Sequence, residues 1–326
     1  MSPPPATGAT GAPGATGDRG ILLRWGALLR LSMSPSAAAD AAAGVLLGAG
    51  TWPAGPAPFL LVAGSLCVYH GGMALNDWAD RGHDARTRPE RPIPSGAIPP
   101  RRALGAAAGL LVLGPALALA AGTQAGLCLA AVSACAAFYD LAGRGPWLGP
   151  LLLGLCRAGN LGAGVLLGLA AAGSTDSSPL FLVAPLVYGA YVFLLSRLGR
   201  MEDAEDARPP GRLPSLYLGL AALGLAAAAL VPLGPTTRLP FTSVAAAAAL
   251  LVALGGAAPL ARLAARRTPW TRGAILPAMG MGLRRLLLFS AVFALRVGGP
   301  AGWVGAALIL AGYPLSYQLR RVFPPS

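Results

Sequence analysis

Twelve acidic residues occur in this 326-residue chain, and eight of them crowd into two short stretches. The first reads Asn76-Asp77-Trp78-Ala79-Asp80-Arg81-Gly82-His83-Asp84 and continues to Glu90; the second reads Glu202-Asp203-Ala204-Glu205-Asp206. Asp77, Asp80 and Asp84 stand three and four residues apart, so a helix running through them would set three carboxylates on one face. Asp203 with Asp206, and Glu202 with Asp206, offer the same geometry in the second stretch. Like charges stacked on a helix repel by about a few tenths of a kcal/mol per pair even in water. At the mouth of an apolar bundle they call for a neutralising cation. Oxygen ligands without a nearby cysteine suit a hard ion, and Mg²⁺ typically takes one or two carboxylates together with substrate phosphate oxygens. Arginines follow both stretches (Arg81, Arg88 and Arg91; Arg208 and Arg212), and their planar forks of donors match phosphate. The plain alternative is a pair of solvated loops balanced by those arginines. Two regularly spaced clusters on one predicted side of the chain weigh against it.

The elements that must position these groups are membrane spans. The chain is 55% hydrophobic and only 11% charged, where a soluble domain carries roughly a quarter charged residues. Apolar stretches of about 20 residues, the length that crosses a bilayer, fall near 33–52, 56–75, 102–121, 124–142, 147–170, 179–198, 213–233, 240–261 and 299–319. The expected fold is therefore an all-α, polytopic transmembrane helix bundle with nine spans, or ten if 273–296 also crosses. Arg284 and Arg285 interrupt that last segment at a depth where arginine is costly, which leaves a tenth span, a re-entrant piece or an interfacial helix open. Residues 1–20, rich in Pro, Gly, Ala and Thr with a short Gly-X-Y register, read as a disordered tail. Residues 21–326 read as one transmembrane domain.

The net charge is +13 and every basic residue is arginine. These arginines sit between apolar stretches and not along a polar face, which argues against a nucleic-acid partner and for membrane topology. With the N-terminus cytoplasmic, the inner loops collect Arg81 to Arg102, Arg144, Arg197 to Arg212 and Arg262 to Arg272, while the outer loops in that stretch hold Arg238 alone. That bias places both acidic stretches on the cytoplasmic side. Cys67, Cys128, Cys135 and Cys156 lie inside apolar segments without a CxxC pair and read as small buried hydrophobes. Trp78 reads as an interfacial anchor.

Asn76-Asp77-x-x-Asp80-x-x-x-Asp84 resembles the NDxxDxxxD motif of the UbiA-type intramembrane prenyltransferases, and Arg91-Pro92-Ile93-Pro94-Ser95-Gly96 resembles the RPLPSG that commonly follows it there. The resemblance implies a bundle of about nine helices with its motifs in the 2–3 and 6–7 cytoplasmic loops. It implies that Asn76, Asp77, Asp80 and Asp84 serve with an Asp-rich second motif to hold two Mg²⁺ ions bridging a donor diphosphate. The second motif, commonly DxxxD, is met here as Glu202-x-x-x-Asp206 or as Asp203-x-x-Asp206. The wording Ser196-Arg197-Leu198-Gly199-Arg200-Met201-Glu202-Asp203 is similar to the EboC-like branch. A tyrosine followed by a basic residue in the 4–5 loop of the family touches the diphosphate, a place that Tyr139 and Arg144 would fill.

Asp40, His70, Arg157 and Asn160 fall inside predicted spans, where lone polar groups are costly and face the bundle interior. Arg157 and Asn160, one turn apart, point to the cavity on this reading. No Ser-His-Asp set, P-loop or zinc spacing occurs. The expected activity is Mg²⁺-dependent transfer of a prenyl group from a prenyl diphosphate to a small lipophilic, often aromatic, acceptor. Asp77, Asp80, Asp203 and Asp206 would be catalytic; those four with Asp84 and Glu202 would hold metal. Asn76, Arg88, Arg91, Tyr139, Arg144, Arg157 and Asn160 would hold substrate. A CDP-alcohol phosphotransferase is disfavoured because the DGxxAR element is absent. The rival from another class is a non-catalytic membrane component that binds an isoprenoid or assists metabolite export.

Overall fold

The computed structural model describes residues 14–174, 182–201, 211–230 and 243–323, and among them every regular element is helical. Helix α1 (Gly14–Leu28) and a 3₁₀ turn (Leu31–Met33) lead into α2 (Ser34–Ala49) and the long α3 (Ala57–Thr87). Then come α4 (Pro100–Ala121), α5 (Thr123–Leu141), α6 (Leu148–Ala171), α7 (Val183–Gly199), α8 (Leu213–Ala228), α9 (Val244–Ala264), α10 (Arg272–Leu283), α11 (Leu286–Val297) and α12 (Gly299–Val322). The nine expected spans coincide with α2 to α9 and α12. Helix α1 begins at Gly14, inside the stretch expected as a tail, and residues 1–13 lie outside the described residues.

Among the described residues six helical segments are long and apolar enough to cross a membrane: α3, α4, α5, α6, α9 and the stretch Gly273–Val297. Helices α7 and α8 are apolar but shorter. Large apolar side chains point outward, among them Phe59, Val112, Leu127, Leu251 and Leu308, each more than 60% accessible. In water such a coat would drive aggregation; against lipid tails it costs nothing.

Chain neighbours pack side by side from α2 to α9, and α11 closes the ring by packing on α9, α12 and α2. Helix α6 also lies directly on α2, at the border between the two larger of three apolar clusters. The α2–α6 approach rests on Gly44 and Gly48 facing Gly164 and Gly168, four residues apart on each helix. A Cβ on Gly44 would collide with the Leu161 carbonyl, and one on Gly164 with the Ala41 carbonyl. Where lipid replaces water, such bare surfaces supply the dispersion contact that hydrophobicity cannot. Because the obstacle is backbone and not a flexible side chain, Gly44→Ala is expected to destabilise by about 1–3 kcal/mol or more. Gly105→Ala, with nothing within 4 Å of the added carbon, should hold or gain stability. Melting curves of the two variants in detergent check this; equal midpoints would refute the close-approach argument.

The segment 273–296 resolves into α10 and α11, broken at Arg284-Arg285. Phe289 to Leu295 are all buried, so α11 is a core helix and the interfacial reading fails for it. The break leaves helix-end carbonyls without partners. Arg285 supplies donors, Nη1 to the Met281 carbonyl at 2.6 Å and Nε to the Gly256 carbonyl of α9 at 2.9 Å.

Candidate active site

Helix α3 continues through the whole first motif and ends only at Thr87, which gives its carboxylates the helical spacing the sequence predicts. Asp77 and Asp84, two turns apart, face the same way and are both buried. Between them lies the guanidinium of Arg91, 2.7 Å from Asp84 Oδ2 and 3.6 Å from Asp77 Oδ1. The chain after α3 makes this possible by folding back on itself. The Ser95 and Ile98 amides donate to the Arg91 and Pro92 carbonyls at 3.0 and 2.9 Å. Gly96 takes a left-handed φ of 75°, which glycine adopts without a Cβ penalty. Ile93 and Ile98 are buried among Leu28, Ala74, Leu75, Ala103 and Ala107. The Arg-Pro-Ile-Pro-Ser-Gly stretch is thus an anchored turn that returns an arginine to the carboxylates of the preceding helix.

Asp77 has a second arginine. Arg30, between α1 and α2, donates through Nη2 to Asp77 Oδ1 at 3.0 Å. It is the one non-glycine with positive φ (51°) among the described residues, a conformation that costs of order 1–3 kcal/mol. The other oxygen, Asp77 Oδ2, is buried and has no hydrogen-bond partner among the described residues.

On the neighbouring flank, Asp80 meets Arg144 through a short Nη1 to Oδ1 contact. Arg144 Nη2 also lies 3.5 Å from Asp140 Oδ1 in the last turn of α5, and Asn76 Nδ2 donates to that same Asp140 oxygen at 2.9 Å. The Tyr139 ring is 5.9 Å from the Arg144 guanidinium. A Cβ added to Gly149 would lie 3.2 Å from both Arg200 Nη2 and Tyr139 Cε2, so Arg200, just past the end of α7, converges on the same corner. The end of α7, from which the chain runs on into the second acidic stretch, therefore reaches the first motif's side of the bundle. Glu202, Asp203 and Asp206 themselves lie outside the described residues.

The remaining expected site residues are placed as follows. Arg88 caps α3 and is exposed. Arg157 and Asn160 of α6 sit in a separate buried cluster facing α2. Arg157 Nη1 pairs with Asp40 Oδ2 at 2.6 Å, and Asn160 Nδ2 donates to the Ala37 carbonyl at 3.0 Å. Tyr188 and Ser290 hydroxyls donate to Asp40 Oδ1 at 2.7 and 3.1 Å. The clusters are linked along the α2–α3 seam by Tyr69, its ring 5.5 Å from the Arg157 guanidinium, and His70, which bonds Ser34 and the Leu29 carbonyl.

Three members of the site, Arg30, Arg200 and Asp140, are not among the site residues expected from the sequence. Asp140 carried a signal, an acid beside Tyr139 at the same span end as Arg144. Arg30 carried none beyond its charge, because its role depends on a left-handed backbone bend.

Among the described residues no three His, Cys, Asp or Glu side chains converge as a complete metal site. The first motif nonetheless fits half of one. Its donors are oxygen alone, and Asp77 presents a buried oxygen with an unfilled lone pair, which suits a hard cation such as Mg²⁺. The net charge of the described cluster is close to balanced by Arg30, Arg91 and Arg144.

Residues 38–279 match the model of the UbiA prenyltransferase family. The chain belongs to that family. Its apolar helices and this membership make it a multi-pass integral membrane protein. The chain is similar to digeranylgeranylglyceryl phosphate synthase of Methanothrix thermoacetophila, 53% identical over 47 residues, or 14% of this chain and 18% of the relative. It is 36% identical to the bacteriochlorophyll synthase 33 kDa chain of Rhodobacter capsulatus over 163 residues, 44% of this chain and 50% of the relative. These matches thus span half or less of the relatives' lengths. The fold matches that of a UbiA homolog from Archaeoglobus fulgidus bound to GPP and Mg²⁺, with a TM-score of 0.59 and 16% identity over 85% of this chain and all of that one. It also matches the apo UbiA homolog from Aeropyrum pernix, with a TM-score of 0.57 and 22% identity over 79% and 96% of the two chains.

Proposed function

We propose that this UbiA-family chain is a Mg²⁺-dependent prenyltransferase, acting from a cytoplasmic-facing mouth on a prenyl diphosphate and a small lipophilic acceptor. The observation that carries the proposal is Asp77: a motif carboxylate buried at the end of an apolar bundle, flanked by two arginines, with one oxygen left without a partner among the described residues. The two relatives, both synthases, and the fold neighbour bound to GPP and Mg²⁺ support the same reading.

Asp77, Asp80 and Asp84 of α3 would hold Mg²⁺ together with the acidic run 202–206. The ion would supply positive charge against the negative charge that grows on the diphosphate as the allylic C–O bond breaks. Arg30, Arg91, Arg144 and Arg200 ring the carboxylates and carry donors whose geometry suits phosphate oxygens. Until a ligand arrives Arg30, Arg91 and Arg144 hold the carboxylates in place and offset their repulsion. Asn76 and Asp140 orient the α3–α5 corner so that Tyr139 and Arg144 face Asp80. The apolar interior accommodates an isoprenoid tail and excludes water that would quench a carbocation.

Thermal stability in detergent tests the proposal, with geranyl, farnesyl and geranylgeranyl diphosphates each added with and without Mg²⁺. A ligand that binds only the folded state stabilises it by RT ln(1 + [L]/Kd), about 2.7 kcal/mol at a hundredfold excess over Kd. A Mg²⁺-dependent rise with one of the three is expected. Absence of any rise would remove the diphosphate site. A rise without turnover of any acceptor would favour the non-catalytic isoprenoid-binding reading.

A further inference from the structure

A second polar site lies at the same end of the bundle, on the far side of the segment that carries Arg30. It is a pocket of about 190 Å³ between the first turn of α2, the α10–α11 break and the last turns of α12. Arg284 and Arg320 line it, with Ser36 and Ser316 beside them and Leu283 and Leu287 along its apolar wall. Among the described residues neither guanidinium pairs with a carboxylate. Arg320 Nη2 has for its neighbour the Met33 sulfur at 3.3 Å, and a thioether is a weak acceptor. Elsewhere among the described residues Arg91 has Asp77 and Asp84, Arg144 has Asp80 and Arg157 has Asp40, while Arg285 is satisfied by two carbonyls. The lining of this pocket has two cations and no acid.

We propose that this pocket binds the phosphate of a membrane amphiphile, with Arg284 and Arg320 clasping the headgroup and the Leu283–Leu287 wall receiving the start of its tail. Charge sets the class of headgroup. A phosphomonoester carries about −1.5 to −2 near neutral pH and balances both guanidiniums, whereas a zwitterion or a single carboxylate leaves one uncompensated. The Ser316 hydroxyl is placed to give a neutral donor to a further phosphate oxygen, while that of Ser36 donates to the Met33 carbonyl at 3.1 Å. Location sets the tail. The pocket is open, Arg284 being exposed and Arg320 half-buried, and it lies at a bundle end bounded by outward-facing Leu315 and Tyr317. Such a place meets the headgroup layer of a bilayer, where long basic side chains keep their charge. The site is independent of the prenyl-transfer reading, since no residue of it touches the α3 carboxylates. One hydrogen bond joins it to the interior: Arg157 Nη2 donates to the pocket serine Ser36 at 3.3 Å.

The test uses the full-length protein in a neutral detergent and follows its melting midpoint. The probes are dioctanoyl phosphatidic acid, uncharged dioctanoylglycerol and inorganic phosphate, without Mg²⁺ so that the α3 site stays silent. Phosphatidic acid alone should raise the midpoint. Arg284→Gln and Arg320→Gln should each raise its half-saturating concentration about tenfold or more, the loss of one charge-assisted bond. Arg321→Gln removes an equal charge next door, on a residue that bonds Tyr317, and should leave the response unchanged. A response to inorganic phosphate that is lost in the same two variants would keep the anion site and assign it to a free phosphate source. An equal response to dioctanoylglycerol, a response that survives in both glutamine variants, or none at all would overturn the proposal. Midpoints of the unliganded variants near that of the native chain show that a lost response is not a lost fold.

Discussion

Asp77→Asn is expected to lower prenyl transfer by about 10²–10³-fold, the loss that follows removal of one group aimed at developing charge in a transition state. The substitution keeps the shape of the side chain and an oxygen for Arg30, but removes the negative charge that a cation at Oδ2 requires. Folding should suffer little. Arg91 retains Asp84 at 2.7 Å, and Arg30, with 28% of its side chain accessible, is solvated well enough to lose a counter-charge. The measurement is diphosphate release with saturating Mg²⁺ on native and variant protein of matched melting midpoint. Retention of more than about a tenth of the native rate would place the metal elsewhere and sink the role assigned to Asp77. Asp84→Asn would behave differently, because its carboxylate is the main partner of the buried Arg91. Its first effect should be on the anchored turn and on stability.

That contrast between two aspartates of one motif marks where sequence stops and structure begins. Helical spacing made it legible that Asp77, Asp80 and Asp84 share a face, and charge made it legible that arginines stand near them. Spacing does not say which arginine meets which carboxylate. Arg91 is seven residues past Asp84 and returns only because Ile93 and Ile98 bury themselves and Gly96 turns left. Arg144 reaches Asp80 across 64 positions of chain. Asp140 escaped notice because an acid at a span end looks like any solvated terminus until Asn76 is seen donating to it. The same holds for 273–296. Its hydropathy and two arginines were plain, but whether α11 is lipid-facing or buried depends on α2, α9 and α12 surrounding it. The break at Arg284-Arg285 is where those competing demands part, with Arg285 turned in to cap carbonyls and Arg284 turned out toward the α12 pocket. Helix positions, by contrast, were readable to within a few residues at most ends, because a twenty-residue apolar run has few alternatives, the exception being α3, which continues to Thr87.

Arg157→Met is expected to destabilise the bundle by about 3–5 kcal/mol, and Asp40→Asn added to it should restore most of that loss. Asp40 is fully buried, and Arg157 is its only ion-pair partner among the described residues. Deleting the arginine strands a charge where neither water nor lipid can solvate it. Asparagine at position 40 removes the stranded charge yet keeps an oxygen for the Tyr188 and Ser290 hydroxyls, so the double variant leaves the network neutral, with only the new amide N–H group to be re-paired. The coupling energy of the double-mutant cycle, read from melting in detergent, should therefore be large and favourable. A coupling near zero would mean that the 2.6 Å contact does not carry the energetics of the α2–α6 seam. The same double variant separates two roles for Arg157. If the residue only ties α6 to α2, the variant that regains stability also regains the Mg²⁺-dependent response to prenyl diphosphate. If Arg157 reaches the ligand from the cavity side, past the Tyr69 ring, stability returns and that response does not. The second outcome would give a buried pair a double task, with Asp40 holding in position a guanidinium whose free edge faces the isoprenoid chamber.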